Sequence, residues 1–365
     1  MTVKRRVVVL FGGRSSEHSI SCATAGGVLS AIDRELFEVV PVGITREGVF
    51  VLEDDDPTKF GLDPEHLPEV LDNGSRVRWP EDSTSRELSV THADGSIASL
   101  GVVDVVFPIL HGRYGEDGTV QGLFELVGLP YVGSGVLASS VSMDKHFTKT
   151  VLQHAGIAVA PWATVSAAGF RADPEAALRS AEELGFPVFV KPARAGSSVG
   201  VSKVEAPEGL DGAIRDALEH DDRVLIESTV IGREVEIAVL EGRAGAQPRT
   251  SVAGEIVVSG RGFYDFDAKY LDAPGIDLVC PASLTDEELA EMGRIAQEVF
   301  TAVGAEGLAR VDFFLTEDGF VVNELNTLPG FTPISMFPKC WLASGLAYPD
   351  LITELLEIGA ARGAR

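Results

Sequence analysis

Two short runs hold the densest chemistry in the chain. In Ala309-Arg310-Val311-Asp312-Phe313 and Val322-Asn323-Glu324-Leu325-Asn326 the polar residues alternate with apolar ones, and strand side chains repeat with period two. Arg310 and Asp312 therefore project from one face of a strand, and Glu324 and Asn326 share a face in the same way. If the two faces coincide, four polar groups converge. Two carboxylates and an amide oxygen are hard ligands suited to Mg²⁺, which takes few protein ligands and completes its shell with water and phosphate oxygens. Arg310 is then at liberty to stabilise a transferring phosphoryl group or a tetrahedral oxyanion. Polar residues of an exposed hairpin facing water would explain Arg-x-Asp alone. The alternation on both runs, and the ending Asn326-Thr-Leu-Pro-Gly330, weigh against that reading.

Five further segments could bring charge, phosphate-binding backbone or a cover to the same place. Lys191-Pro-Ala-Arg194-Ala-Gly196-Ser197-Ser198-Val199-Gly200 is a lysine leaving a strand into a flexible turn whose N–H groups could cradle a phosphate. It lacks the spacing of a P-loop, and a tight hairpin with a solvated lysine fits the segment equally well. Downstream, Glu227, Val230 and Glu234 read as an edge strand able to hold an amine and ribose hydroxyls, although a surface loop fits them better alone. His111-Gly-Arg113-Tyr114-Gly115-Glu116-Asp117-Gly118 and Gly12-Gly13-Arg14-Ser15-Ser16-Glu17-His18 each follow a buried strand, where open α/β sheets collect ligands. Helix-capping turns explain both loops as well, and for His18 that is the preferred reading. Residues 260–270, polar, aromatic and glycine-hinged, suit a lid that excludes water.

The elements that must position these groups fall into three units, at residues 1–143, 144–233 and 234–365. Apolar runs at 7–11, 39–44, 102–110 and 129–132 predict a parallel, doubly wound sheet, with a helix over 117–128. Residues 53–94, rich in Asp, Glu, Pro and Ser, predict a surface excursion. The second unit carries a helix through Leu152 and strands at 188–191 and 223–227. In the third, strands at 235–240 and 255–258 precede a long amphipathic helix over 284–303. A hairpin of 308–315 with 320–325 then turns on Asp318-Gly319.

Composition limits the partners. The 30 Lys and Arg against 55 Asp and Glu give a formal charge of −25, which repels nucleic acid and anionic membrane surfaces. No apolar run is long enough to span a bilayer. The three cysteines, Cys22, Cys280 and Cys340, have no metal-ligand or disulfide spacing, which fits a reducing cytoplasm.

In order, and over nearly the whole chain, these motifs resemble the D-alanine–D-alanine ligase family of the ATP-grasp superfamily; residues 111–122 and 307–330 carry most of the likeness. The resemblance implies an N-terminal Rossmann-like α/β domain, a central domain and a C-terminal domain, with ATP between the last two. It gives Lys145 and Lys191 the ATP phosphates, Glu227 and Val230 the adenine, Glu234 the ribose and Lys269 the γ-phosphate. Asp312, Glu324 and Asn326 become ligands of two Mg²⁺ or Mn²⁺ ions, with room for a monovalent cation. Glu17 holds the ammonium of a first D-alanine and bonds Ser197 and Tyr270, with His111 nearby. Arg310 and the Gly330 amide bind the oxyanion, and Ser335 the carboxylate of a second D-alanine. A homodimer is implied in the same way. Ala195 departs from the family, where an acidic residue is common. The alternatives are a relative making D-alanyl-D-lactate, against which Tyr270 argues, and a nucleotide-binding regulator without turnover, which need not keep Arg310, Asp312, Glu324 and Asn326 together.

Overall fold

The computed structural model describes residues 3–61, 66–196, 198–258 and 276–363. Its first unit is built on β1 (Arg5–Gly12), whose Val7, Val8, Val9, Leu10 and Phe11 are fully buried because both faces of the strand are covered. β1 pairs in parallel with β2 (Phe37–Ile44), reached through the helix His18–Ala31. A short β3 (Phe50–Leu52) adds an antiparallel edge to β2. The chain then forms a separate antiparallel sheet of β4 (Arg76–Arg78), β5 (Glu87–Thr91) and β6 (Ile97–Val102) before β7 (Val105–Ile109) returns in parallel beside β1. The order is β3-β2-β1-β7. Gly12 ends β1 at φ 87°, where a Cβ would lie 2.4 Å from the carbonyl oxygen of Ile44, so only glycine lets the chain leave there.

Three sequence expectations are corrected here. The run 102–110 is two strands, turning at Val103-Asp104 from one sheet into the other. Residues 129–132 make only a bridge between Val106 and Tyr131, since Pro130 has no N–H for a ladder. The acidic excursion is not bare surface: Val77, Leu88 and Val90 are buried in the same core as Val8 and Leu10.

The second unit holds an antiparallel sheet of β8 (Trp162–Ser166), β9 (Val188–Pro192), β10 (Ser202–Val204) and β11 (Arg223–Ser228), in the order β10-β9-β11-β8. Helices Pro174–Glu182 and Leu210–Leu218 cover it. The third unit has β12 (Arg233–Leu240), β13 (Arg249–Val258), β14 (Ile276–Val279), β15 (Leu308–Thr316) and β16 (Gly319–Asn326), in the order β14-β13-β12-β15-β16. Helix Asp286–Ala302 starts in a capping box, in which Thr285 Oγ1 accepts from Glu288 N at 3.1 Å and Glu288 Oε2 accepts from Thr285 N at 2.7 Å. Its Met292, Ala296, Val299 and Phe300 cover one face of this sheet.

Apolar packing crosses between units. Helix Lys145–His154 places Leu152 in the core of the third sheet, and Leu351, Ile352, Leu355 and Leu356 of helix Tyr348–Ala361 share a core with Val105 and Phe107. The first and second sheets are thus both held against the third. No helix among the described residues is long and apolar enough to cross a membrane. Cys280 Sγ and Cys340 Sγ, far apart in sequence, lie 3.7 Å apart as free thiols.

Candidate active site

β15 and β16 pair so that Arg310 stands opposite Asn326 and Asp312 opposite Glu324, and the four side chains share one face. A bulge follows Asp312 and leaves Asn323 unpaired, which re-aims the strand at this point. The opposite face puts Val311, Phe313, Val322 and Leu325 into the core. β12 adds Glu236, in register with Asp312. Arg310 Nε and Nη2 donate to the two oxygens of Asp312 at 2.7 Å each, Glu236 Oε2 lies 3.0 Å from the same Nε, and Asn326 Nδ2 donates to Asp312 Oδ2 at 3.0 Å. The guanidinium expected at liberty is therefore clamped. Burial opposes its charge, but Asp312, Glu236 and Glu324 hold it well above even the usual arginine range. Glu236 escaped the sequence reading because it lies alone between Val235 and Ile237 and meets Asp312 only through the ladder to β15, a strand remote in sequence.

The second and third sheets meet through residues 229–232, between β11 and β12. Lys191 of β9 bonds Glu227 of β11, and Lys149 bonds the other oxygen of the same carboxylate. Burial pushes Glu227 upward, yet the two ammonium groups bring it below the usual carboxylate range. The charges of Glu234 and Glu324 also bear on Lys191, so this lysine lies between the two sheets. Lys145 Nζ donates to Ala195 O at 2.8 Å. The lysine reaches the turn through its backbone, so the departure at Ala195 does not disturb this contact. Val230 is half-buried in the connection. Lys149 was missed, because a lysine on an amphipathic helix ordinarily faces water.

The first sheet supplies the opposite wall. Glu17 is buried, and a Cβ on Gly112 or Gly196 would lie 2.7 or 3.3 Å from its Oε2, so the carboxylate sits between the loop after β7 and the turn after β9. Ser15 Oγ accepts from Glu17 N at 3.2 Å and donates to His111 O at 2.8 Å. His111 Nδ1 donates to Leu328 O at 3.2 Å, while its buried Nε2 has no hydrogen-bond partner among the described residues. Burial lowers this imidazole below its usual value, so Nε2 offers a lone pair. Gly330 and Ser335 complete the wall: a Cβ at Gly330 would lie 3.2 Å from Ser335 Oγ, which accepts from Thr332 N at 3.2 Å. His18, by contrast, is tied to Gly13 O and Val70 N and takes no part. Ser197, Lys269, Tyr270 and the expected lid at 260–270 lie outside the described residues.

Glu116 has a place in the site that its motif does not reveal. Its Oε2 accepts from Gly112 N at 2.6 Å and its Oε1 from Leu328 N at 3.2 Å, tying the loop of the first sheet to the loop after β16. Desolvation, then the charge of Glu17, push this carboxyl up to about 8. The folded state thus keeps a proton that the unfolded chain releases near 4.5. The stability it contributes is complete below that value and is lost as pH rises through about 8. Glu116→Gln is expected to flatten the fall in melting temperature between pH 4.5 and about 8. A slope identical to the parent's would contradict this.

Among the described residues no three His, Cys, Asp or Glu side chains form a ready-made metal cage. A hard cation such as Mg²⁺ needs only one or two carboxylates from a protein, with water and phosphate oxygens completing its shell. Asn326 gives its N–H to Asp312 and keeps its amide oxygen as an acceptor, so the donor set fits Mg²⁺.

Comparison with known proteins agrees with this geometry. Two family models match, D-ala D-ala ligase N-terminus over residues 6–134 and D-ala D-ala ligase C-terminus over residues 151–357. A D-alanine–D-alanine ligase of Pseudarthrobacter chlorophenolicus is 52% identical over 362 residues, covering 98% of this chain and 95% of that protein. One from Streptomyces avermitilis is 50% identical, covering 98% and 95%. Among solved structures, the VanG D-Ala:D-Ser ligase of Enterococcus faecalis superposes with a TM-score of 0.83 at 34% identity over 98% of this chain and 99% of that one. The D-alanine–D-alanine ligase of Coxiella burnetii gives 0.78 at 34%, covering 98% and 94%. The fold is therefore the ATP-grasp architecture of these enzymes, and with both family models and relatives at half identity over its length, the chain belongs to the D-alanine–D-alanine ligase family.

Proposed function

We propose that the protein joins two D-alanines into D-alanyl-D-alanine, using ATP and releasing ADP and phosphate, for the synthesis of cell-wall precursors. The observation that carries this reading is the shared face of Arg310, Asp312, Glu324 and Asn326, set beside the Lys191–Glu227 pair, which is the donor set that phosphoryl transfer to a carboxylate requires.

ATP lies between the second and third sheets. Lys145 and Lys191 meet its phosphates, Glu227 and Val230 its base, and Glu234 its ribose. Asp312, Glu324 and Asn326 would hold two divalent cations, Mg²⁺ or Mn²⁺, which would supply neutralisation of the phosphate charge. Glu17 takes the ammonium of the first D-alanine, and the lone pair on His111 Nε2 faces the same substrate. A carboxylate oxygen of that substrate attacks the γ-phosphorus, ADP leaves, and a D-alanyl phosphate remains. The neutral amine of the second D-alanine, held by its carboxylate at Ser335, attacks the acyl carbon. Arg310 and the Gly330 amide meet the developing oxyanion. The C–O bond to phosphate then breaks, and the proton lost by the amine is taken up by the departing phosphate. In this scheme Lys269 reaches the γ-phosphate, and Glu17 bonds Ser197 of the turn after β9 and Tyr270 of the lid. A homodimer in the cytoplasm is the expected working form.

The test is phosphate release with ATP and Mg²⁺, comparing D-alanine with L-alanine, and then D-serine or D-lactate added to D-alanine. Release with D-alanine alone, and dipeptide as the main product when the others compete, is the expected result. Preference for D-lactate or D-serine as acceptor would move the protein to another branch of the family.

A further inference from the structure

Among the described residues, the nucleotide side of the cleft contains a cation that the scheme above does not use, Lys149. Both oxygens of Glu227 are engaged, Oε2 by Lys191 and Oε1 by Lys149, and Glu227 and Lys149 have side chains only 5% and 3% exposed. Lys149 also donates to Ala160 O at 3.4 Å and stands 5.8 Å from the centre of the Trp162 ring. It lies one turn beyond Lys145 on the helix Lys145–His154, so the two lysines share a face. That helix is fixed to β11. Asp144 Oδ1 caps it by accepting from His146 N at 3.0 Å, and Asp144 Oδ2 accepts from Arg223 Nη1 at 3.0 Å.

The two lysines differ in what they can leave. Lys191 feels Glu234 and Glu324 as well as Glu227, and lies on the strand that runs into the phosphate-binding turn. A triphosphate would draw it away. Lys149, enclosed by Ala160 and Trp162, cannot follow. Without it, Glu227 would be left as a lone buried charge, which burial drives towards protonation. A carboxylate only accepts hydrogen bonds, whereas a carboxylic acid also donates one. The distinction decides which purine fits.

We propose that Lys149 is a positioning residue for base selection: by holding Oε1 of Glu227 it keeps the carboxylate charged and its other oxygen available, so the site takes a purine with an exocyclic amine at C6 and rejects one with a carbonyl there. The inference rests on Glu227 as the base contact and extends that reading to the residue that sets its charge.

The experiment measures ATP and GTP dissociation constants on the full chain by calorimetry, with KM for D-alanine alongside. Lys149→Met is expected to weaken ATP about tenfold or more, leave GTP unchanged or tighter, and leave the D-alanine KM unmoved. Lys149→Arg restores the parent's ATP-to-GTP ratio. A folded Lys149→Met protein with the parent's ratio overturns the proposal, and so does a drop in melting temperature with both nucleotides weakened equally. If Lys149→Met does not fold, Lys149→Met/Glu227→Gln removes both charges and carries the test: a ratio near one supports the proposal, and the parent's ratio overturns it. Glu227→Gln alone separates the two levels. If it leaves the ratio unchanged, Glu227 is not the base contact and both readings fall; if it shifts the ratio while Lys149→Met does not, only the present inference falls.

Discussion

Glu324→Gln is expected to lower kcat by about two to three orders of magnitude while the melting temperature moves by no more than about a few degrees. The substitution keeps shape and volume and removes one negative charge from the face where Asp312 and Asn326 converge. Glu324 is not in the apolar core, so folding depends little on its charge. Phosphoryl transfer depends on it heavily, because a cation there must be held by very few protein ligands. Turnover near the parent's, or full parent activity in excess chelator, would remove the metal assignment.

Arg310→Met should be the most damaging substitution, and it should act on rate and stability together. The guanidinium is the shared partner of Asp312 and Glu236, with side chains 10% and 7% exposed. Deleting one partner of a buried ion pair costs about 3–5 kcal/mol, because the remaining charges stay desolvated. The rate should fall by about two to three orders of magnitude as well, since a donor to the developing oxyanion is lost. The two effects separate in the double variant Arg310→Met/Asp312→Asn, which should regain part of the stability and none of the rate. Recovery of turnover there would make Arg310 a structural residue only.

Much of this site was legible in the sequence because strands encode faces directly. Period two put Arg310 with Asp312 and Glu324 with Asn326, and the Asp318-Gly319 turn made the two runs neighbours; the register set at that turn alone would place Asp312 opposite Asn323, and the bulge after Asp312, which local rules did not reveal, brings the two polar pairs onto one face. The same rules failed where the partner is remote. Glu236 joins the cluster through a ladder to β15, and Lys149 meets Glu227 only when a helix and a strand from separate parts of the second unit pack together. Helix Lys145–His154 also shows why unit borders are hard to read. The face that carries Lys145 to Ala195 and Lys149 to Glu227 also sends Leu152 into the core of the third sheet. In the first unit, the apolar run at 129–132 has the composition of a strand, and Pro130 prevents the ladder. The acidic stretch hid two strands because their buried residues, Val77, Leu88 and Val90, are sparse among charges.

The most direct test of the central claim uses D-alanine labelled with ¹⁸O in its carboxylate, ATP and Mg²⁺, with phosphate and dipeptide analysed by mass in the same reaction. If ATP activates the first D-alanine as an acyl phosphate, one labelled carboxylate oxygen becomes the bridge to phosphorus and leaves with it when the amine attacks. The account predicts one ¹⁸O in each phosphate released and one dipeptide formed per phosphate. Unlabelled phosphate would show that ATP is hydrolysed by water, and labelled phosphate without dipeptide would show that water rather than the amine takes the acyl group; either result would contradict it.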